Sequence, residues 1–123
     1  MKGTFVLKSS VESIEEYFNT KASLPNDWNP KLIINPGDRA MIICQGEPDV
    51  ITLSTFGMTP SWAKYPMQLI HARAEGDKNP DNDPTFNGSK AIFLKKAFRI
   101  PLFSKRCIVI VNAFTEWSNG IDR

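Results

Sequence analysis

The sequence predicts a β-rich α+β domain with about six short strands and two helices joined by long loops. Its apolar stretches are short and are separated by clusters of Pro, Gly, Asn and Asp, which is typical of strands connected by turns. The run at residues 107–111 (CIVIV) is rich in β-branched types and predicts a strand buried on both faces. Such a late strand implies pairing with distant segments. At 123 residues the chain is one domain or part of one.

Composition argues against a membrane protein and gives little support to a metal site. No apolar run approaches the ~18 residues of a membrane span, and the N-terminus lacks the apolar core of a signal peptide. The net charge of +2 permits nucleic-acid binding without arguing for it. Cys44 and Cys107 lie in apolar runs, which predicts buried free thiols in a reduced compartment. With His71 they lack the spacing of metal ligands, so we expect no metal and no cofactor.

The N-terminal part predicts a strand followed by a helix. In residues 3–8, Phe5 and Leu7 alternate with Thr4 and Val6, which favours a short strand. Ser9 and Glu12 have the spacing of a capping box, so we expect a helix over residues 10–19. Its core-facing stripe would be Val11, Ile14, Tyr17 and Phe18.

The middle of the chain predicts a loop and then a β-hairpin. Residues 20–38 are rich in turn-forming types and predict irregular structure, whose length often marks a functional surface. Residues 40–44 and 50–56 predict two strands joined by a loop that contains Gly46 and Pro48. Residues 57–62 (GMTPSW) predict a turn, with Pro60 starting a short helical turn.

The region before the last strand predicts a loop and a broken helix. If residues 69–75 (LIHARAE) are extended, His71, Arg73 and Glu75 share one face. Residues 76–90 form a polar loop, and Ser89 is a candidate cap for a helix over residues 90–98. Pro101 is expected to break the helical region near Ile100.

The stretch 105–117 ends in a carboxylate of uncertain role. Glu116 follows the predicted buried strand and lies beside Trp117, which makes it a candidate general acid or base. The alternative, which spacing alone favours, is a surface residue paired with a Lys or Arg.

Residues 118–120 (SNG) are a hairpin signal, yet the three residues that follow them are too few for a returning strand. We therefore expect a truncated piece, or pairing with another chain.

Four segments of the sequence each give only weak evidence for a functional site. Taken singly, Arg73 is more often an ion-pair partner, His71 a hydrogen-bonded structural residue and Trp62 a core residue than members of a site. In order and spacing, however, MKGTF, FGMTPSW, HARAE and RCIVIVNAFTEW resemble the SRAP family, the SOS response-associated peptidases. Members carry Met-Cys-Gly-Arg, Trp-Gly-Leu-x-Pro-x-Trp, Asn-Ala-Arg-Ala-Glu, Arg-Cys-Leu and Tyr-Glu-Trp. The resemblance identifies residues 1–123 as the N-terminal portion of a single SRAP-like domain.

The resemblance implies a fold and a function. The implied fold is a mixed, mainly antiparallel, barrel-like sheet with peripheral helices and a groove across it. The implied partner is single-stranded DNA with an abasic site, bound by a cytoplasmic protein that is nucleoid-associated on DNA. By motif, His71 and Glu116 stand at assisting catalytic positions and Arg73 at a DNA-backbone-binding position. Trp62 would shape the groove, and Arg106 would bind DNA, since Arg neutralises phosphate and aromatics stack on bases.

This sequence departs from the family pattern at the reactive centre. In the family, a Cys at position 2 traps the sugar aldehyde as a thiazolidine, but this chain has Lys2. Thr4 replaces the family's Arg, His71 its Asn and Phe56 its first Trp. A further catalytic His of the family would lie past residue 123. Covalent crosslinking through a thiazolidine is therefore not expected at position 2.

Three hypotheses follow, and enzymatic activity stays open among them. In the first, which we rank highest, the chain binds single-stranded DNA at abasic sites without crosslinking. In the second, the amine of Lys2 or Met1 forms a Schiff base with the abasic aldehyde and cleaves the strand as a lyase. That reaction needs a neutral amine, whereas a carboxylate such as Glu116 favours the charged form. In the third, the chain is a non-catalytic single-stranded DNA-binding or interaction module.

Overall fold

The structure, a computed structural model, describes residues 3–72, 84–85, 87–88 and 91–115. The elements in chain order are β1 (Thr4–Val6), α1 (Val11–Phe18), β2 (Lys21–Ala22), β3 (Ile33–Ile34), β4 (Arg39–Cys44), β5 (Val50–Thr55), a 3₁₀ turn (Ile92–Leu94), α2 (Arg99–Ser104), β6 (Cys107–Val109) and β7 (Ala113–Thr115). The predicted strand-rich α+β class is confirmed. None of the helices in these segments is long and apolar enough to cross a membrane.

Within the described residues the strands form two sheets. The three-stranded sheet has the order β3-β1-β7, and the four-stranded sheet has the order β2-β5-β4-β6. All pairs are antiparallel except β2 with β5, which is parallel. Both sheets stay open at their edges over the described segments, so the expected term barrel-like describes them only loosely. β1 is the central strand of its sheet, which fixes the start of the described chain between β3 and β7.

The core lies mainly between α1, β3 and the β4–β5 hairpin. Ile34, Met41 and Ile51 are the largest fully buried side chains, and Leu7 and Ile14 pack in the same cluster. Burying each such side chain contributes ~1.5–3 kcal/mol to folding. The predicted hairpin of residues 40–44 and 50–56 is confirmed, with register pairs from Arg39–Thr55 to Ile42–Thr52.

Helix α1 is confirmed, but one of its predicted details is wrong. The N-cap is Ser10 and not Ser9: the Ser13 amide donates to Ser10 Oγ at 3.1 Å. Ile14 is buried, and Val11 and Phe18 pack partly buried against the core.

The predicted core position of Tyr17 is also wrong, because its side chain is 83% exposed. The helix ends at Phe18, and its C-cap, Asn19, has a φ of 52°, the left-handed conformation common at helix ends. The face of α1 that packs on the core is therefore narrower than the predicted stripe, because it lacks Tyr17.

The predicted loop 20–38 contains two short strands, β2 and β3, that the sequence did not indicate. The structure also holds a turn at residues 35–38. Asp38 Oδ2 accepts hydrogen bonds from the Asn35 amide and from Lys31 Nζ, each at 2.9 Å. The Asn35 hydrogen bond, and after it the bond from Lys31, lower the pKa of the Asp38 carboxyl.

The helix predicted over residues 90–98 is wrong. In its place there is a 3₁₀ turn at Ile92–Leu94, whose preceding residue Ala91 makes no side-chain capping bond; Ser89, the predicted cap, lies outside the described residues. Pro101 does not break the next helix but lies in the first turn of α2. Proline is tolerated there because the first amides of a helix have no intrahelical acceptor.

The prediction that residues 107–111 are buried on both faces is also wrong. Every residue of β6 is exposed, with Ile108 at 56%, and only the following Ile110 is buried. The reason is position: β6 is an edge strand that pairs with β4 on one side. An apolar run of this length does not distinguish an edge strand from a central one. Cys107 is accordingly exposed and Cys44 half-buried, contrary to the predicted buried thiols.

Candidate nucleic-acid interface

Gly3, the residue that precedes β1, lies near His71. Gly3 has a φ of +64°, a conformation that favours glycine. A β-carbon at Gly3 would lie 3.2 Å from Ile70 Cδ1 and 3.8 Å from both Cε1 and Nε2 of His71. The positive φ therefore favours glycine here, and the distances place the beginning of the described chain near the imidazole.

The same end of β1 is joined to the end of β7. Thr4 pairs with Thr115 in the antiparallel register. The Thr4 amide donates to Thr115 Oγ1 at 3.3 Å, and the two hydroxyl groups also form a hydrogen bond. Gly3, His71 and Thr115 thus surround one end of the three-stranded sheet.

A closed loop presents Trp62 and leads the chain to His71. Met58 and Leu69 exchange two backbone hydrogen bonds of 2.8 Å each. Inside the loop, Thr59 Oγ1 accepts from the Met67 amide at 3.1 Å. The loop therefore has a defined geometry, and the predicted turn at residues 57–62 is confirmed by the 3.0 Å bond from the Ala63 amide to the Pro60 carbonyl.

A cleft of about 330 Å³ has His71, Lys105 and Arg106 in its lining. We call it the basic cleft. Its apolar lining comes from the Met58–Leu69 bridge, the 3₁₀ turn, α2 and β6. The Arg106 carbonyl accepts from the Gln45 amide at 3.0 Å, and the Lys105 amide donates to Pro101 O at 2.9 Å. These bonds fix the main chain of the two cationic residues that line the cleft.

The tryptophan cleft, about 260 Å³ in volume, adjoins the basic cleft and shares Met58, Pro101 and Lys105 with it. Trp62 lies here and is 47% exposed. Lys96 Nζ lies 4.4 Å from the centroid of its ring, within cation–π range. One face of the indole is therefore covered by a cation, while about half of the side chain stays exposed.

The charged residues that the structure describes in the lining of the two clefts are all cationic. Lys96, Lys105 and Arg106 line them, and the described lining contains no Asp or Glu. Over the described part of the chain, neither Lys105 nor Arg106 forms an ion pair. The field in a cleft lined by one sign of charge attracts ligands of the opposite sign, here anions.

Three of the six predicted site residues, His71, Trp62 and Arg106, come together in these adjoining clefts. The other three, Lys2, Arg73 and Glu116, lie outside the described residues. Lys96 and Lys105 were missed as site residues. The cation pair at residues 105–106 was a visible signal for Lys105, whereas no sequence pattern distinguishes Lys96 from other surface lysines. Among the described residues, no group of three His, Cys, Asp or Glu side chains could hold a metal ion.

Comparisons with known proteins place the chain in a family. The family model described as SOS response associated peptidase (SRAP) matches residues 1–123. Among curated proteins, the chain is 32% identical over 122 residues to the abasic site processing protein YoqW of Bacillus subtilis (strain 168), and equally to that of Bacillus phage SPbeta. It is 31% identical over 122 residues to the abasic site processing protein YoaM of Bacillus subtilis (strain 168).

Each match covers 95% of this chain but only 47–48% of the relative. The chain thus spans about half the length of the curated relatives it matches. A search of solved structures finds no significant match. The family model covers the whole sequence, including the four segments that suggested the resemblance, so this chain belongs to the SOS response-associated peptidase (SRAP) family.

Proposed function

We propose that this chain binds single-stranded DNA at abasic sites and does so without a thiazolidine crosslink. The observation that carries the proposal is the half-exposed Trp62 beside adjoining clefts whose described charged residues are all basic. The curated relatives are named abasic site processing proteins, which supports the same substrate.

Binding of single-stranded nucleic acid requires cationic groups and an aromatic surface, and the clefts have both. Phosphates are neutralised by cations, with release of counterions; Lys105 and Arg106 are exposed and supply two such charges. Unpaired bases stack on aromatic rings, worth ~1–3 kcal/mol per base. Trp62 is the exposed indole in this position, and because Lys96 lies over one face of its ring, we propose that a base stacks on the other face.

The abasic sugar is proposed to lie at the end of β1. Lys2 is joined to Gly3, which lies near His71, and Glu116 is joined to Thr115, which is bonded to Thr4. The proposed roles of Lys2 and Glu116 rest on these neighbours in sequence. Arg73 follows His71 by two residues and is proposed to bind the DNA backbone.

A second candidate function is favoured by the position of Gly3 near His71, where an added β-carbon would lie 3.8 Å from the imidazole. An amine at Lys2 or Met1 would attack the C1′ aldehyde of the ring-opened sugar, and loss of water would give an imine. An imidazole is the commonest proton acceptor in catalysis, so His71 is the candidate base for the following strand cleavage. We rank this lyase activity below binding, because it requires a neutral amine, whereas a carboxylate such as Glu116 favours the charged form.

The test of binding is the salt dependence of affinity. Fluorescence anisotropy measures the Kd for a single strand with one abasic site at several salt concentrations. We expect Lys105→Ala and Arg106→Ala each to lower the slope of log Kd against log salt by about 0.7. Lys21→Ala is the matched control, because Lys21 is exposed on β2 at the opposite edge of the four-stranded sheet. Equal slopes for all four proteins would refute the proposal.

The same oligonucleotide separates binding from lyase chemistry. Incubation with borohydride traps an imine as a stable covalent band, whereas binding alone yields none. A band that is lost in Lys2→Ala assigns the imine to Lys2, and a band retained in that variant assigns it to the α-amine. A band that forms without borohydride would contradict the expectation that no thiazolidine-like crosslink forms.

A further inference from the structure

The two cysteines of the chain lie opposite one another on neighbouring strands. In the antiparallel register of β4 and β6, Cys44 is the direct partner of Cys107. They are 63 positions apart in sequence, and neither lies in a metal-binding spacing. The pairing arises only because the edge strand β6 docks on β4.

The hydrogen bonds show which kind of cross-strand pair this is. The Gln45 amide donates to the Arg106 carbonyl at 3.0 Å, and these residues flank the Cys44–Cys107 pair. In an antiparallel ladder, a pair enclosed by such a bond is a non-hydrogen-bonded pair. Its Cα atoms are about 4.5 Å apart and its side chains lie on the same face. That separation falls inside the range of ~4.4–6.8 Å that disulfides require.

The environment of the pair permits reaction. Cys107 is exposed and Cys44 half-buried, and both are free thiols. Cys107 lines the basic cleft and also an adjoining apolar cleft of about 550 Å³. Small molecules in solvent can therefore reach Cys107. Cys44, its half-buried partner on β4, is placed to act as the resolving thiol.

We propose that Cys44 and Cys107 form a reversible cross-strand disulfide. The oxidant is a low-molecular-weight disulfide. The Cys107 thiolate attacks one sulfur of that molecule and releases its first thiol, which leaves a mixed disulfide on Cys107. The Cys44 thiolate then attacks the Cys107 sulfur, closes the intramolecular bond and releases the second thiol. The two protein thiols lose two protons and two electrons, and the small disulfide gains them. Exposed disulfides are the labile, reversible class.

The rate of this exchange should depend on pH in a defined direction. Partial burial, and after it the neighbouring Cys44, raise the pKa of the Cys107 thiol. The thiolate is the nucleophile, so a raised pKa leaves less of it near neutral pH. We expect exchange to accelerate as pH rises toward and past the usual thiol value of 9.0.

The test uses the unaltered chain. The protein is reduced, desalted and incubated with oxidised glutathione without air; thiols are then counted after acid quenching and unfolding, and the intact mass is measured. We expect the count to fall from two thiols to none, a mass loss of two hydrogen atoms, and recovery of both thiols with dithiothreitol. Persistence of both thiols, a mass gain of one or two glutathione groups, or a bond between chains would overturn the proposal.

Single substitutions check the order of the steps. Cys44→Ser keeps the exposed thiol but lacks the resolving one, so its reaction should stop at one glutathione group per chain. Cys107→Ser keeps only the half-buried thiol and should react several-fold more slowly. Adduct formation at equal rates in both variants would contradict attack through Cys107. The result for the unaltered protein decides the proposal if either variant fails to fold.

Discussion

Residues 3–56, the core region, differ from residues 57–72 and 91–107, the cleft region, in what they bury. The core region holds the largest fully buried side chains, those of Ile34, Met41 and Ile51. In the cleft region, only Pro60 is buried, and neither the 3₁₀ turn nor α2 buries any residue. Stability and the candidate interface therefore reside in different parts of the chain, and the cleft residues are free to be polar, cationic and exposed.

The largest expected effect tests this separation by stability. Ile51→Ala removes a side chain with no exposed surface and leaves a cavity, so we expect the free energy of unfolding to fall by ~2–5 kcal/mol. Phe103→Ala, in α2 of the cleft region, removes a side chain that is 71% exposed and should change it by less than ~0.5 kcal/mol. Urea unfolding followed by circular dichroism measures both. Similar losses in the two variants would contradict the division into core and cleft regions.

A second comparison concerns aromatic side chains and rests on the proposed function. Trp62→Ala should weaken binding to single-stranded DNA by ~1–3 kcal/mol, because a base loses its stacking partner. Tyr17→Ala, in α1 of the core region, removes an aromatic side chain that is even more exposed, at 83%. We expect its Kd to stay within about twofold of the unaltered protein, since RT ln 2 is only ~0.4 kcal/mol. Anisotropy titrations at one salt concentration suffice, and equal losses would remove Trp62 from the interface.

The helix caps sharpen the comparison further. Helix α1 has a side-chain cap from Ser10, whereas α2 begins after Phe98 without one. Ser10→Ala should destabilise the chain by about 1 kcal/mol, and Ser10→Asp should retain most of the stability because aspartate also caps. Thermal or urea unfolding of the two variants provides the measurement. If both variants lose the same stability, the hydrogen bond from the Ser13 amide is not what stabilises this helix end.

The smallest expected effect is a pH dependence in the core region. The pKa of the Asp38 carboxyl is lowered by the Asn35 amide and by Lys31, so ionised Asp38 stabilises the folded state. That contribution is fully present above the ordinary value of 3.8 and is lost as pH falls through the lower folded value. The urea midpoint of Asp38→Asn should consequently differ from that of the unaltered protein at pH 6 but converge with it in strong acid. A constant difference at all pH values would rule out this linkage.

Local patterns were sufficient for one helix and one hairpin in the first half of the fold. The periodicity of residues 11–18 and the two β-rich runs joined by Gly46 and Pro48 predicted α1 and the β4–β5 hairpin, because these elements are stabilised by neighbours in sequence. The strands β2 and β3 were missed, since each has two residues and exists only through pairing with β5 or β1. Membership of the SRAP family was likewise contained in four ordered segments, and so were the positions of Trp62, His71 and Arg106.

Tertiary structure alone decided exposure and proximity. The run at residues 107–111 has the composition of a buried strand, but burial depends on how many neighbours a strand has, and β6 lies at an edge. The same docking sets Cys44 opposite Cys107 and brings Arg106 into one cleft with His71. Contacts between residues so far apart in sequence leave no local pattern, because they arise from pairing and packing of whole elements. The sequence by itself determined which chemical groups this protein carries; the fold determined which of them meet.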